Sequence, residues 1–356
     1  MNAVLVHFKS KDLSRIHKQG QFWHIFSFSE HGLNGGIIAQ DEVDTWTTHL
    51  LVPLEFDTNS LTSEDVVARV FGGMSGLYPI KIDKILVRSN WRAHIAIARN
   101  YISNHGHIFL AGDSAHQNIV TGGYGMNMGI GDAFDLGWKL ATVIKGHGGP
   151  GLLQSYEQER RPVALRTVEH SGKHMAVHLD VPKLFPGFPL GLKGNPDESN
   201  QLRRQIHDYY QKHDGEHKDI GIEMGYRYVS EILIPDKSSD PPTFDPRRYI
   251  PSTWPGVRAP HVFLKNGRAI FDELGPYFTL VEFSDGSDLG ANILLAKAKV
   301  ESVPTKHLQL EDEDHARSIW GARLALVRPD CFVSWRGEAI GSGSEADCII
   351  KVSSGH

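Results

Sequence analysis

The chain has 356 residues, 40% of them hydrophobic and 22% charged, with a formal net charge of −5. That length supports two domains with substantial cores, and the mild acidity, without a dense run of Lys and Arg, argues against nucleic-acid binding. No apolar run approaches a membrane span. The two cysteines, Cys331 and Cys348, form no Cys-x-x-Cys pair, so a reducing, cytoplasmic setting is expected.

Taken in chain order, Ala3 to Phe8 is an apolar β-like run that reads as a strand already under way, and the polar stretch from Lys9 to Gly20 allows a short helix. Phe22 to Phe28 alternates aromatic and polar residues, Leu33-Asn-Gly-Gly36 suggests a hairpin turn into Ile37, and Trp46 to Leu54 suggests another strand. Thr62 caps a predicted helix that carries Val66, Val67 and Val70, and Ile80 to Trp91 returns to strand character. His17, His24, His31 and His49 lack the spacing of a metal site, and no metal is expected.

The stretch from His107 to Ala133 organises the chain. Ile108 to Ala111 predicts a short buried strand that ends at Gly112-Asp113. Gly122, Gly123 and Gly125 then let the backbone approach a ligand closely, and a helix from about Gly125 to Lys145 presents unpaired amides to that loop. Ile130, Ala133, Gly137, Leu140, Ala141 and Ile144 predict its apolar packing face. A second helix covers Leu152 to Val168, with a break expected at Pro162. Glu157, Glu159, Arg160 and Arg161 read as structural ion pairs. Residues 171–205 read as an irregular connector, and Asp236 to Arg248 as a linker. Phe278 to Phe283 and Leu324 to Arg336 carry strand signals in a domain beginning near Tyr249.

Three strings carry a resemblance: Gly112-Asp-Ser-Ala-His116 with Gly122-Gly-Tyr-Gly-Met-Asn127, then Asp132-Ala-Phe-Asp-Leu-Gly-Trp-Lys-Leu-Ala141, then Tyr156-Glu-Gln-Glu-Arg-Arg-Pro-Val-Ala164. They resemble the FAD-dependent aromatic hydroxylases, the single-component flavin monooxygenases related to para-hydroxybenzoate and phenol hydroxylases. The resemblance implies an α/β (α+β) fold, with an incomplete FAD-binding and substrate domain followed by a C-terminal thioredoxin-like domain. The implied partition is 1–105 for the remainder of the substrate-domain sheet, 106–235 for the flavin-contacting motif with its helices and connector, 236–248 for the linker and 249–356 for the thioredoxin-like domain. Without paired thiols, that last domain reads as structural or dimer-forming.

The resemblance also implies FAD as cofactor, NADPH or NADH as reductant, dioxygen, and a phenol-like or polyketide-like aromatic small molecule as substrate. Gly112, Asp113, Gly122, Gly123, Gly125, Met126 and Asn127 match the family's cofactor-contacting positions. Asp113 matches the carboxylate that accepts from flavin hydroxyls, and the loop matches the segment against the pyrophosphate and the pyrimidine edge. No side chain stands out as a catalytic acid or base; His116 reads as a satisfied loop histidine. Phe22, Phe26, Trp91 and Tyr124 read as core packing rather than as an aromatic pocket. Two features depart from the family: Ile119 and Val120 stand where it has a proline pair, and no Gly-x-Gly-x-x-Gly fingerprint occurs. The match therefore covers the C-terminal part of the family. The alternative reading is a truncated, non-catalytic relative that serves as an oligomerisation or binding module.

Overall fold

The computed structural model describes residues 1–15, 20, 22–92 and 94–356. In chain order β1 (Asn2–Lys9), β2 (His24–Ser29), β3 (Gly32–Ala39), β4 (Thr45–Val52), α1 (Ser63–Gly72) and β5 (Lys84–Arg92) come first. The two-residue strands β6 (Ala96–Ile97) and β7 (His116–Gln117) precede α2 (Tyr124–Ile144), α3 (Gly151–Leu184) and α4 (Pro196–Lys212). Short helices α5 (Gly215–Lys218), α6 (Ile220–Met224) and α7 (Ile270–Glu273) lead to β8 (Phe278–Ser284), α8 (Ala291–Val300), β9 (Thr305–Glu311) and α9 (Asp314–Trp320). The chain closes with β10 (Leu324–Val327), β11 (Val333–Gly337) and α10 (Gly343–Ser353). These elements form two compact units, Met1–Ile95 with Ser171–Asp214, and Ala96–His170 with Gly215–His356.

In the first unit β1 lies inside a five-stranded antiparallel sheet of order β2-β3-β4-β1-β5. Its alternation puts Val4, Val6 and Phe8 into one core with Trp46, Leu50, Val66, Val67 and Val70. α1 supplies the three valines. Its start is fixed by a capping box: the Thr62 hydroxyl accepts from the Asp65 N–H at 3.1 Å, and the Asp65 carboxylate accepts from the Thr62 N–H at 2.9 Å.

In the second unit a four-stranded sheet of order β11-β10-β8-β9 joins β8 and β9 in parallel and its other pairs antiparallel. Leu280, Leu294, Leu324, Leu326 and Ile349 form one buried cluster, which Trp138 of α2 and Leu152 of α3 also enter. Val281, Phe283, Ala325, Val327 and Trp320 form another. Neighbours along β8 and β10 thus go to different clusters, as the period of two requires when both faces of a sheet are covered. Residues 236–248 lie within this unit, where Arg336 Nε donates to Asp236 at 2.8 Å. Both cysteines are free thiols; Cys331 is half-buried at a left-handed φ of 66°, and Cys348 is exposed on α10. No helix among the described residues is long and apolar enough to cross a membrane.

Several elements differ from expectation for identifiable reasons. The β2–β3 turn is Glu30-His31, and Leu33 to Gly36 lie within β3. Gly35 is needed there for approach: a Cβ would sit 1.9 Å from the His49 carbonyl oxygen of β4. Of the Lys9–Gly20 stretch, Asp12–Arg15 forms a 3₁₀ turn, and 16–19 lie outside the described residues. Ile108 to Ala111 is extended but forms only the single bridge Ile102↔Phe109, and Ile108 is exposed. Its apolar content fitted a strand, yet only the Tyr101–Ser103 side supplies backbone partners. α3 runs through Pro162 without a break, because buried contacts of Tyr156, Glu159, Arg160, Val163 and Ala164 hold the turns on either side. Residues 171–205 are largely helical, and the missed signal is Asn195-Pro196, an N-cap followed by proline in the first turn of α4.

The largest difference concerns α2. Its buried residues are Tyr124, Met128, Asp132, Asp135, Trp138 and Lys139, whereas Met126, Ile130, Phe134 and Ile144 are exposed. Gly137, read as a packing glycine, has open space where a Cβ would go. The charged side faces inward because each buried charge meets a counter-charge there.

Replacing Gly35 with Ala is expected to force β3 and β4 apart and to destabilise the chain by about 1–3 kcal/mol or more. Urea unfolding monitored by circular dichroism measures this loss, and Gly36→Ala, whose Cβ would lie 3.6 Å from the Ile25 carbonyl oxygen, is the milder comparison.

Candidate functional site

The candidate site lies within the second unit and begins at Gly112-Asp-Ser114, a single 3₁₀ turn. Ser114 closes it locally, accepting from the Ala111 N–H at 3.1 Å and donating to the Ala111 carbonyl at 2.8 Å. Gly112 has a φ of 58°, and a Cβ on Gly129 of α2 would lie 3.4 Å from the Gly112 Cα. The turn therefore meets the helix backbone to backbone. Asp113 is exposed at the tip of this turn, and its carboxylate accepts no hydrogen bond from the described residues.

Gly122 and Gly123 bring the chain into α2 with φ of 84° and 67°. Gly123 is the N-cap and offers no side-chain cap, so the first turn keeps the positive end of its dipole uncovered by a cap. The Gly122 N–H donates to Glu216 Oε1 at 3.1 Å. A Cβ on Gly125 would come within 3.1 Å of Asn118 Oδ1. Met126 and Asn127 are exposed on the first turn, and Asn127 Nδ2 donates to the Gly123 carbonyl at 3.1 Å. Tyr124 is buried beneath, where burial pushes its hydroxyl pKa up, reinforced by Glu223, Asp219 and Glu216. Phe22, Phe26 and Trp91 belong to the first unit and pack there: Phe26 stacks on His178 with ring centroids 3.8 Å apart.

Behind the turn lies a cluster whose centre, Asp132, the sequence reading missed, although it read Arg160 as an ion-pair residue and His116 as a satisfied loop histidine. The buried Asp132 carboxylate accepts from the Gly112 N–H at 3.0 Å, from His116 Nε2 at 2.8 Å and from Arg160 Nε at 2.7 Å. Burial opposes its ionisation, but the His116 hydrogen bond and the Arg160 charge outweigh burial and hold the pKa below the usual carboxylate range. Glu157 accepts from the backbone N–H groups of Tyr101 and Ile102 at 2.6 and 3.1 Å, and Arg161 donates to the Ala98 carbonyl at 3.1 Å.

One and two turns further along α2, Asp135 and Lys139 meet Glu159 of α3 and Arg328 and Asp330 after β10. Lys139 Nζ lies 2.8 Å from Asp135 and 2.7 Å from Glu159. Arg328 reaches Glu159 at 2.6 and 2.9 Å and Asp135 at 3.2 Å, and also pairs with Asp330. Trp138 donates its indole N–H to Asp330 at 3.0 Å. The three carboxylates are close enough together to suggest a metal, but Lys139 and Arg328 already neutralise two of them. Burial, opposed by Lys139 and reinforced by Glu159, pushes Asp135 up to about 7. Glu159, despite burial, is held well below the usual range by Arg328 and Lys139.

Two further patterns escaped the sequence reading. His170, His174 and His178 recur at four-residue spacing on α3, but among the described residues they form no metal-ligand group. His178 instead stacks on Phe26, with its Nδ1 3.2 Å from the Tyr210 hydroxyl. Gly341-Ser-Gly-Ser-Glu-Ala346 approximates a nucleotide-binding turn with alanine as its last residue. Two of its amides already have side-chain partners: Ser342 accepts from the Glu345 N–H at 3.2 Å, and Glu345 from the Gly341 N–H at 2.8 Å.

The chain belongs to the family of flavin-dependent aromatic hydroxylases: the FAD binding domain model matches residues 1–171, and the aromatic-ring hydroxylase C-terminal model matches 252–348. Among its relatives, the FAD-dependent monooxygenase apdD of Emericella nidulans is 48% identical over 99% of this chain and 58% of that protein. The FAD-dependent monooxygenase opdD of Penicillium oxalicum is 45% identical over 100% of this chain and 69% of that protein. The flavin-dependent monooxygenase PieE, solved with FAD and substrate, superposes with a TM-score of 0.82 at 26% identity, covering 99% of this chain and 64% of that one. The chain thus spans between 58% and 69% of the length of these relatives.

The buried cluster sets a pH dependence. An acid whose pKa is raised in the folded state stabilises the fold fully below its unfolded pKa, and that contribution is lost as pH rises through the folded value. For Asp135 the loss runs from about pH 4 to about 7. For Glu159, whose pKa is lowered, the contribution is present above about pH 4.5 and is lost on acidification. Asp135→Asn is expected to flatten the change in stability between pH 5 and 7 relative to the parent. Glu159→Gln, which removes the carboxylate that Arg328 and Lys139 share but leaves both paired with Asp135, is expected to cost about 1–3 kcal/mol. Thermal and urea melts across pH separate the two outcomes.

Proposed function

We propose that this chain forms part of an FAD-dependent monooxygenase that hydroxylates an aromatic, phenol-like or polyketide-like small molecule, with NADH or NADPH as reductant and dioxygen as co-substrate. One observation carries the reading: the exposed Asp113 carboxylate stands on a turn fixed against α2, whose own start has left-handed glycines and no side-chain cap. That donor and acceptor set fits a flavin. A carboxylate suits hydroxyl donors, and a helix N-terminus suits a phosphate or the negative edge of a reduced ring.

In this reading Asp113 accepts from sugar-chain hydroxyls of FAD, and Gly112, Gly122, Gly123 and Gly125 allow backbone approach. Met126 and Asn127 flank the ligand on the first helical turn. Bound FAD supplies the oxygen-activating chemistry, while the chain's own residues bind, orient and exclude water. Ile119 and Val120 would border the loop where the family carries prolines. The names of apdD, opdD and PieE support the same reaction class. The partition 1–105, 106–235, 236–248 and 249–356, a cytoplasmic location and a homodimer complete the proposal, and analytical ultracentrifugation tests the last.

The purified chain titrated with FAD is expected to quench flavin fluorescence, and Asp113→Asn to weaken that binding by about tenfold or more, the worth of a charge-assisted hydrogen bond. Oxidation of NADH or NADPH that speeds up on adding a phenolic probe, with a hydroxylated product seen by mass spectrometry, tests the reaction. A chain that leaves added FAD unquenched ends the reading.

A further inference from the structure

We propose that Asp132 is a positioning residue for the flavin site: its carboxylate fastens the Gly112–Asp113 turn to α2, so cofactor affinity depends on it as well as on Asp113. The inference rests on the flavin reading above.

Three donors from three segments converge on this one buried group. Oδ2 takes the Gly112 N–H and His116 Nε2, and Oδ1 takes Arg160 Nε. Arg160 is itself aimed by its remaining nitrogens, with Nη2 donating to the Met128 carbonyl at 3.2 Å and Nη1 to the Tyr228 hydroxyl at 2.9 Å. Gly131 makes room for that guanidinium, since a Cβ there would lie 2.7 Å from Nη2. The Gly112–Gly129 contact completes the seam between turn and helix.

The donor count shows why a carboxylate is needed. Asparagine offers one acceptor oxygen and would turn its NH₂ towards either Arg160 or the Gly112 and His116 donors. His116 depends on the same group: because Asp132 can only accept, Nε2 must donate, and the buried Nδ1 has no partner among the described residues. Loss of Asp132 therefore releases Gly112, His116 and Arg160 together, directly behind the residue that would hold the flavin. The Asp113 carboxylate makes no bond among the described residues that would keep the turn in place, and its carbonyl only a long one, accepting from Gln117 Nε2 at 3.5 Å.

The test uses the full chain with Asp132→Asn and Asp113→Asn, read three ways. Hydrogen exchange of the Gly112–Ser114 segment, measured without flavin, is expected to quicken about tenfold or more in Asp132→Asn and to stay unchanged in Asp113→Asn. FAD affinity is expected to fall about tenfold or more in both variants. The visible band of the bound flavin is expected to shift in Asp132→Asn, a change that lowered global stability alone does not produce. Gly131→Ala, which displaces Arg160 and spares the Gly112 bond, serves if Asp132→Asn fails to fold; several-fold weaker FAD binding is expected. Parent-like FAD affinity and spectrum in a folded Asp132→Asn or Gly131→Ala chain overturn the proposal. Parent chain that binds no FAD overturns the flavin reading itself, and the parent titration alone reveals that outcome.

Discussion

The ion cluster around Lys139 and Arg328 is the constraint on which the rest of the second unit depends. It joins α2, α3 and the end of β10 through groups up to 193 residues apart in the chain. Charges taken out of water are costly unless they are paired in good geometry, and here each cation meets two or more carboxylates. Trp138 seals the arrangement: its indole bonds Asp330, and the Arg328 guanidinium carbon lies 5.1 Å from its ring centroid. Three acids against two bases leave one excess negative charge, and Asp135, sharing its space with Glu159, is the group where a proton relieves it. The C-terminal sheet is thereby locked to the helix whose first turn carries the candidate loop.

The same helix holds two ionic clusters with different tasks. Asp132 ties the loop turn to the helix start, and Asp135 with Lys139 ties the helix to the C-terminal sheet. A purely apolar helix would pack as firmly but could not fix a backbone amide such as that of Gly112. Hydrogen bonds to a buried charge are directional and roughly twice as strong as neutral ones, so this polar face holds the turn in one orientation.

Much of the fold was legible where local pattern and burial agree. The apolar run of Ala3 to Phe8 and the strand signal of Phe278 to Phe283 mark β1 and β8, and Thr62 with Asp65 marks the start of α1. The loop glycines were legible too, because left-handed turns at Gly112, Gly122 and Gly123 demand that residue type. The inward face of α2 was not. Periodicity reports where apolar side chains recur, but pairing of Asp132 with Arg160, or of Asp135 with Arg328, is decided by residues distant in sequence. Ile130 and Ile144 read as core for that reason, although they are exposed. Pro162 misled in the same way, since neighbouring tertiary contacts outweigh the local cost of proline.

The two thiols differ in a way that matters for watching this molecule at work. Cys331 sits in the left-handed turn beside Asp330, where burial raises its pKa and keeps it in the unreactive thiol form. Cys348 is exposed on α10, within the C-terminal sheet domain that the ion cluster anchors. This chain therefore already contains one selectively addressable attachment point. A dye or spin label placed there reports on the C-terminal domain without any engineered cysteine, and the tryptophans remain available as partners for distance measurements.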